Sequence, residues 1–457
     1  MNNKIKPRLP GGFRDYLPDD YSRRQRVVER AVEVYRSFGF KPLETSSVEY
    51  FETLAGGDET SKQIYRLFNR NPDFSGESLA LRFDLTVSLA RMLAMNRTAF
   101  TFPFKRYQIG EVWRGERQQK GRFKQFLQFD ADIVGTANPS ADAEIVVIID
   151  RLMRSLGVEN FVIRLNNRKI LNGYLLSLGL GEKDTIAFQR VLDKLDRIGW
   201  EGIEAELAET KSSHQEQERI LDREELMVNA VYKIRECITE QSSNEGRIKL
   251  IREIAKGSQE AEEGIKQIET ILELAFVAGV DNSRISFDLS LARGLDYYTG
   301  PVFETVLTDL PDFGSVMGGG RYDNLMERFG GELIPATGIS LGVDRLMVGL
   351  EELGLLEGAR TASRVLVAGL GKEMEVHCFA LAAKLRDAGI ECEVFLGENR
   401  GFKKQLTYAN RGGIRYCVII GPDELEAKRV QVKDMRTGEQ REVSKEDLVG
   451  VLKGGCR

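Results

Sequence analysis

The sequence predicts an α+β body built on an antiparallel sheet flanked by helices, with a helical insertion and a small C-terminal α/β domain. Three observations carry this. Two runs of strand pattern, 100–113 and 123–135, are joined by one short charged loop, RGERQQKGR, and read as a hairpin. Residues 180–275 switch to Glu, Lys and Gln with Ile and Leu at helical spacing. From Arg364 onward, RVLVAGL, ECEVFL and YCVIIG alternate with helical segments, the pattern of a largely parallel sheet.

Taken in order, residues 19–38 predict a helix. Val27, Val28, Ala31, Val34, Tyr35 and Phe38 recur at helical spacing, Asp19 and Asp20 are candidate caps, and Gly39 ends it. The hairpin follows, then a helix over 140–156, the helical insertion, and renewed strand patterns with glycines at 284–345. The expected division is a core of 1–178 and 280–355, an insertion at 179–279, a linker at 356–363 and a final domain at 364–457.

Composition excludes several functions. At 457 residues, 42% hydrophobic and 30% charged, the chain has ample core-forming residues for about three domains. Its five cysteines lie far apart with no CxxC, which argues against a zinc knuckle or a disulfide framework and for a reducing, cytoplasmic setting. No apolar run marks a secretory signal at the N-terminus or reaches the length of a membrane span. The two histidines, His214 and His377, both sit in ordinary helical patterns, so the chemistry falls to arginines, carboxylates and positioning. Between Arg364 and Arg457, 17 Lys and Arg face 14 Asp and Glu, a net of +3, while the rest carries −8 of the total −5. A weakly basic tail on an acidic body permits RNA contact without requiring it.

Six stretches carry candidate site residues. In FKQFLQFDADIVG, Leu127, Phe129, Ala131 and Ile133 share an apolar face; Phe126, Gln128, Asp130 and Asp132 share the opposite, polar one. A solvated strand face usually carries Lys, Glu and Thr, so this one is read as facing a ligand. Before it, Arg114, Glu116, Arg117, Lys120 and Arg122 crowd the loop. They form either a solvated hairpin tip or a set of guanidiniums suited to a triphosphate. LALRFDLTVSLAR (79–91) places Arg82, Asp84 and Thr86 on one face, able to hold an ammonium group, to cap the following helix, or both. GISLGVDRLMVGLEE reads as strand, glycine, helix, with Arg345 in the first helical turn; a bound phosphate or purine accounts for a cation there. RGLDYYTGPVFE (293–304) and GGGRYD (318–323) add Arg293, three tyrosines and glycines that allow close backbone approach.

Together these stretches resemble the class II aminoacyl-tRNA synthetases, and within them the histidyl-tRNA synthetase family, nearly end to end. LPGGFRDYLP is similar to the family's opening segment, GFKPLETSSVEYFETL to part of its first motif, KRYQIGEVWRGERQQKGRFKQFLQFDADIVG to its second and GISLGVDRLMVGLEE to its third. RGLDYYTGPVFE and GGGRYDNL resemble the peptides peculiar to the histidine enzymes, and the tail with GENRGFKKQLTYANRGGIRYCVIIGPDEL resembles their anticodon-binding domain. Ser46 stands where the family usually has proline. RFDLT and Asp132 are similar to the eukaryotic form, whereas RGERQQKGR is similar to the bacterial loop.

The resemblance implies a histidine–tRNA ligase acting on L-histidine, ATP and tRNA(His), with Mg2+ carried on the ATP phosphates and no dedicated metal site. It also implies a homodimer. Arg293 and Arg114 would be the catalytic residues. Histidine would be bound by Asp84, Leu85, Thr86, Arg114, Gln128, Asp132, Arg293, Tyr297, Tyr298 and Tyr322. ATP would be bound by Arg114, Glu116, Arg122, Phe126 and Arg345. The alternative is a catalytically silent paralogue that senses histidine or regulates histidine biosynthesis. Such proteins usually lack the tail and the motif arginines that are present in this chain.

Overall fold

The computed structural model describes residues 5–56, 58–68, 78–116, 121–208, 217–239, 243–292, 297–356, 363–397 and 401–454. Packing divides the chain into two compact units. The first runs to residue 14 and from 26 to 356; the second takes 15–25 and the chain from 357 onward.

The first unit holds an eight-stranded sheet. Its spatial order is Lys41–Pro42, Phe104–Trp113, Gln125–Val134, Ala336–Gly342, Ser315–Arg321, Pro301–Leu307, Phe161–Asn167 and Ile285–Phe287. The six long strands pair antiparallel, as the hairpin pattern predicts, and the two short edge strands pair parallel. One face buries Phe129, Ala131 and Ile133 against Tyr35 and the helix Pro139–Ser155, in one continuous core. The other face of Gln125–Val134 carries Gln128, Asp130 and Asp132. They stand opposite Gly110, Gln108 and Arg106 on one neighbour and Gly342, Ser340 and Gly338 on the other. Alternation thus places three polar side chains in the middle of a sheet, where Gly110, Gly338, Ser340 and Gly342 leave room beside them.

The segment 180–275 is helical among its described residues: Glu182–Leu192, Leu195–Ala208, Gln217–Thr239, Asn244–Ile254 and Gln259–Val277. Asn244 ties it to the sheet. Its amide donates to the Ile285 carbonyl (3.0 Å) and its oxygen accepts from the Phe287 N–H (2.8 Å).

Two expectations shift at the N-terminal side. The helix spans Pro18–Ser37, so Asp19 and Asp20 lie inside its first turn, where they favour the dipole instead of capping it. The strand expected over 79–91 is only Leu79–Leu81, paired with Val48–Tyr50, and a helix begins at Thr86. Asp84 explains the break: its Oδ1 accepts from the Val87 N–H (3.1 Å) and caps that helix.

The second unit contains a five-stranded sheet in the order Cys392–Val394, Val365–Gly369, Tyr416–Ile420, Arg429–Asp434 and Gln440–Ser444. The first three strands are the apolar runs and pair parallel; the last two form an antiparallel hairpin.

Candidate active site

A cavity of about 280 Å³ opens on the polar side of the large sheet. Of the residues expected from the sequence, Thr86, Arg114, Asp132, Tyr297, Tyr298, Tyr322 and Arg345 line it. They come from the hairpin, the two tyrosine-bearing segments, the capped helix and the helix Val343–Glu352, so the fold gathers distant stretches onto one floor. Arg293 lies outside the described residues.

Each cationic group is aimed by its surroundings. The Arg114 Nε donates to the Phe83 carbonyl (2.9 Å), and the guanidinium lies 5.2 Å from the centre of the Phe126 ring. Glu116 sits 4.0 Å from Arg114 and 3.6 Å from Arg122, linking the two arginines at the cavity edge. Arg345 donates to the Phe313 carbonyl and stands 5.3 Å from that ring's centre. Glu116, Arg122 and Phe126 therefore flank the cavity and are not among its described lining; Arg122 lines a second hollow, of about 880 Å³, that shares Glu304, Ser315 and Arg345 with the first.

The tyrosines form a cluster. Rings of Tyr297 and Tyr298 lie 5.0 Å apart and those of Tyr297 and Tyr322 lie 5.8 Å apart, both edge-on. Burial, with nearby carboxylates, raises the pKa of all three, so they serve as neutral hydrogen-bonding groups. Tyr322 donates to Asp132 Oδ1 at 2.5 Å. Asp132 Oδ2 lies 2.7 Å from a guanidinium nitrogen of Arg106, a fully buried side chain directly opposite in the sheet. That contact is an ion pair without hydrogen-bond alignment, since Arg106 and Asp132 Oδ2 lack aligned partners. Both oxygens of Asp132 are thus engaged by the protein, and the carboxylate is held rigid.

Asp84 is not in the described lining; its Oδ2 is buried with no hydrogen-bond partner among the described residues, and burial pushes this carboxyl up to about 6. Leu85, fully buried, and Gln128 do not appear in the described lining; Leu85 precedes the helix at Thr86 as part of its core. Asp130, on the strand face expected to meet a ligand, lines the cavity, as do Glu304 and Ser340, for which the sequence indicated no site role. Asp130 was legible on the polar strand face, and Glu304 ends the RGLDYYTGPVFE peptide. Burial pushes Asp130 up to about 7, with Asp132 adding and Arg106 opposing. Arg321, within GGGRYD, turns away from the cavity: it pairs with Asp142 at 2.5 Å and donates to the Thr136 carbonyl (2.9 Å). Its role is to fasten the strand to the helix Pro139–Ser155.

Two glycines are required here. A Cβ on Gly319 would stand 2.1 Å from the Gly338 carbonyl oxygen, and one on Gly338 would stand 2.0 Å from Asp132 Oδ1. These positions let two strands and a buried carboxylate share one floor.

Residues 12–346 match the family model for histidyl-tRNA synthetase, and residues 364–454 match that of the anticodon binding domain. The chain belongs to the histidyl-tRNA synthetase family. It is 42% identical over 442 residues to the histidine–tRNA ligase of Rhodopirellula baltica, covering 96% of each chain. It is 41% identical over 439 residues to that of Wolinella succinogenes, again covering 96% of each. Among solved structures, the histidyl-tRNA synthetase from Nostoc sp. PCC 7120 superposes with a TM-score of 0.85 at 33% identity, over 98% of this chain and 99% of that one. A Bacillus halodurans protein described as an ATP phosphoribosyltransferase regulatory subunit/histidyl-tRNA synthetase shares the fold, with a TM-score of 0.72 at 21% identity, over 92% of this chain and 99% of that one.

Proposed function

We infer that the cavity is the place where this chain activates histidine with ATP and then passes it to tRNA. The family supplies the overall activity, an ATP-dependent histidine–tRNA ligase. The observation that carries the assignment to this cavity is the meeting of Arg114 and Arg345 with Asp132 and three tyrosines around one hollow of amino-acid scale.

In the first step a histidine carboxylate oxygen attacks the ATP α-phosphorus in line, and the bond to pyrophosphate breaks. No proton transfer to a protein base is needed. The requirement is to bring two anions together and to compensate charge on the phosphoryl oxygens. Arg114, at the junction of floor and loop, suits both the substrate carboxylate and the α-phosphate; Arg293 is assigned the same junction by family resemblance. Arg345 and Phe126 would sandwich the adenine, with Glu116 and Arg122 holding the rest of ATP. Magnesium would arrive on the phosphates; Glu304, which borders both hollows, accepts from Arg164 at 3.3 Å. In the second step the terminal ribose hydroxyl of tRNA attacks the adenylate carbonyl, and AMP leaves.

Histidine would be read by Asp132 and Tyr298 at the imidazole, with Tyr297 and Tyr322 as walls. Asp84, Thr86 and Gln128 would hold the α-ammonium beside Leu85. A ligand lacking an imidazole N–H would leave buried polar groups unpaired, which is a large penalty. The tail from Arg364 would contact tRNA(His), the core, insertion and linker would divide as expected from the sequence, and the enzyme would work as a cytoplasmic homodimer. The silent regulatory reading is not favoured, because the close full-length relatives are histidine–tRNA ligases and the motif arginines Arg114 and Arg345 line the cavity.

Aminoacylation with histidine, ATP and tRNA(His) tests the activity; no charging would overturn the reading. For the site, Arg293→Ala is expected to lose about 2–4 kcal/mol of transition-state stabilisation, roughly 30- to 1,000-fold in histidine-dependent ATP–pyrophosphate exchange, with unchanged folding. Exchange at near-normal rate would remove Arg293 from the mechanism.

A further inference from the structure

Asp130 lies at the centre of the polar strand face, lines the cavity and is 1% exposed. Neither of its neighbours across the sheet uses it up. Ser340 hydrogen-bonds it, and the Gln108 amide is committed elsewhere, donating to Thr45 Oγ1 at 3.0 Å. Arg106, the guanidinium nearby, is paired with Asp132. What Asp130 does hold is Gln128, two residues earlier on the same face. The Gln128 Nε2 donates to both carboxylate oxygens, at 3.0 and 2.9 Å.

A primary amide has one donating and one accepting end, and an ionised carboxylate only accepts. In its ionised form, which prevails above about pH 7, Asp130 therefore dictates which way the amide points. The other end, Gln128 Oε1, is buried and has no hydrogen-bond partner among the described residues. Asp84 Oδ2 is a second buried acceptor in the same state. Each of these buried acceptors would be satisfied by a group with N–H donors and no acceptor, such as a primary ammonium. With the amide reversed, an NH2 would face that ammonium, and the hydrogen bond would be lost.

We propose that Asp130 is a positioning residue that fixes the Gln128 amide, so that its carbonyl oxygen is presented to the α-ammonium of the substrate. The inference rests on the reading of Gln128 as an ammonium ligand, and the test separates the two.

Histidine-dependent ATP–pyrophosphate exchange is measured for Asp130→Ala, Gln128→Ala and the double variant. Gln128→Ala must raise the histidine KM; if it does not, Gln128 is no ammonium ligand and both readings fall. Asp130→Ala is expected to raise the histidine KM at least about tenfold, the share of affinity carried by one charge-assisted hydrogen bond, while kcat and the ATP KM stay within about twofold. In the Gln128→Ala background, removing Asp130 should add nothing further. Additive effects would overturn the proposal while leaving Gln128 in place. The inhibitor 3-(imidazol-4-yl)propionate, which lacks the ammonium, should bind the wild type and Asp130→Ala equally. A tenfold weaker inhibition of the variant would place Asp130 at the imidazole instead. Asp130→Leu fills similar volume without an acceptor and gives the same comparisons if the alanine variant does not fold.

Discussion

Replacing Asp132 by alanine should do two separable things. The first concerns stability. Arg106 has 0% of its side chain exposed, and its paired carboxylate is Asp132 at 2.7 Å. Deleting that carboxylate leaves a buried guanidinium and the Tyr322 hydroxyl without their partner. Breaking one side of a buried pair costs about 3–5 kcal/mol. Asp130 remains as a second carboxylate acting electrostatically on Arg106, which places the expectation near the lower end. For a unit of this size that corresponds to a fall in Tm of about 4 °C. The second concerns recognition. Losing a charged partner for the imidazole, worth about 2–4 kcal/mol, should raise the histidine KM by roughly 30- to 1,000-fold while the ATP KM stays within about threefold. Asp132→Asn separates the effects. It keeps the volume and one acceptor but not the charge that offsets Arg106, so only part of the thermal stability should return while the histidine KM stays at least about tenfold high. The assays are thermal melting and pyrophosphate exchange with each substrate varied in turn. An alanine variant with unaltered melting, or one in which both KM values rise together, would refute the reasoning.

Other predictions follow from neighbouring groups. Gly338→Ala puts a Cβ 2.0 Å from Asp132 Oδ1, so the carboxylate must shift; a stability loss of about 1–3 kcal/mol and a higher histidine KM are expected, and unchanged values of both would contradict the packing. Asp130 titrates in the fold near 7 against 3.8 for the free group. An acid with a raised folded pKa costs stability only where the unfolded chain ionises it, so its penalty is absent below about pH 4, grows as pH rises and is complete above about pH 7. Asp84, raised to about 6, acts in the same sense. The Tm of Asp130→Asn relative to wild type should therefore increase from pH 5 to pH 8; a difference independent of pH would remove the buried carboxylate from the account.

The long hairpin was legible because alternation of Leu127, Phe129, Ala131 and Ile133 with polar residues leaves one arrangement of faces. Arg106 was not, because a strand's own pattern assigns a face but not the partner opposite; its pairing with Asp132 exists only through the register. The strand pattern over 79–91 stops at Leu81, and the other reading of that stretch, Asp84 capping the helix that follows, is the one the structure bears out. The C-terminal hairpin Arg429–Asp434 and Gln440–Ser444 was hidden by its polarity: Val430, Val432 and Val443 supply its buried apolar side chains, and the turn rests on Asp434 accepting from the Arg436 N–H at 2.8 Å. In the site, cationic and aromatic groups were readable from composition and spacing. Separate roles for Asp84 and Asp132 were expected from the family resemblance alone; which oxygens of Asp84, Asp130 and Asp132 lack partners is set by the fold and not by strand spacing.

A crystal structure with ATP and histidinol, an amino alcohol that cannot be activated, tests the account most directly. The account predicts the imidazole between Asp132 and Tyr298, the ammonium on Asp84 and Gln128, and the triphosphate reaching past Arg114 toward Arg345. Ligands bound elsewhere, or an imidazole facing away from Asp132, would contradict it.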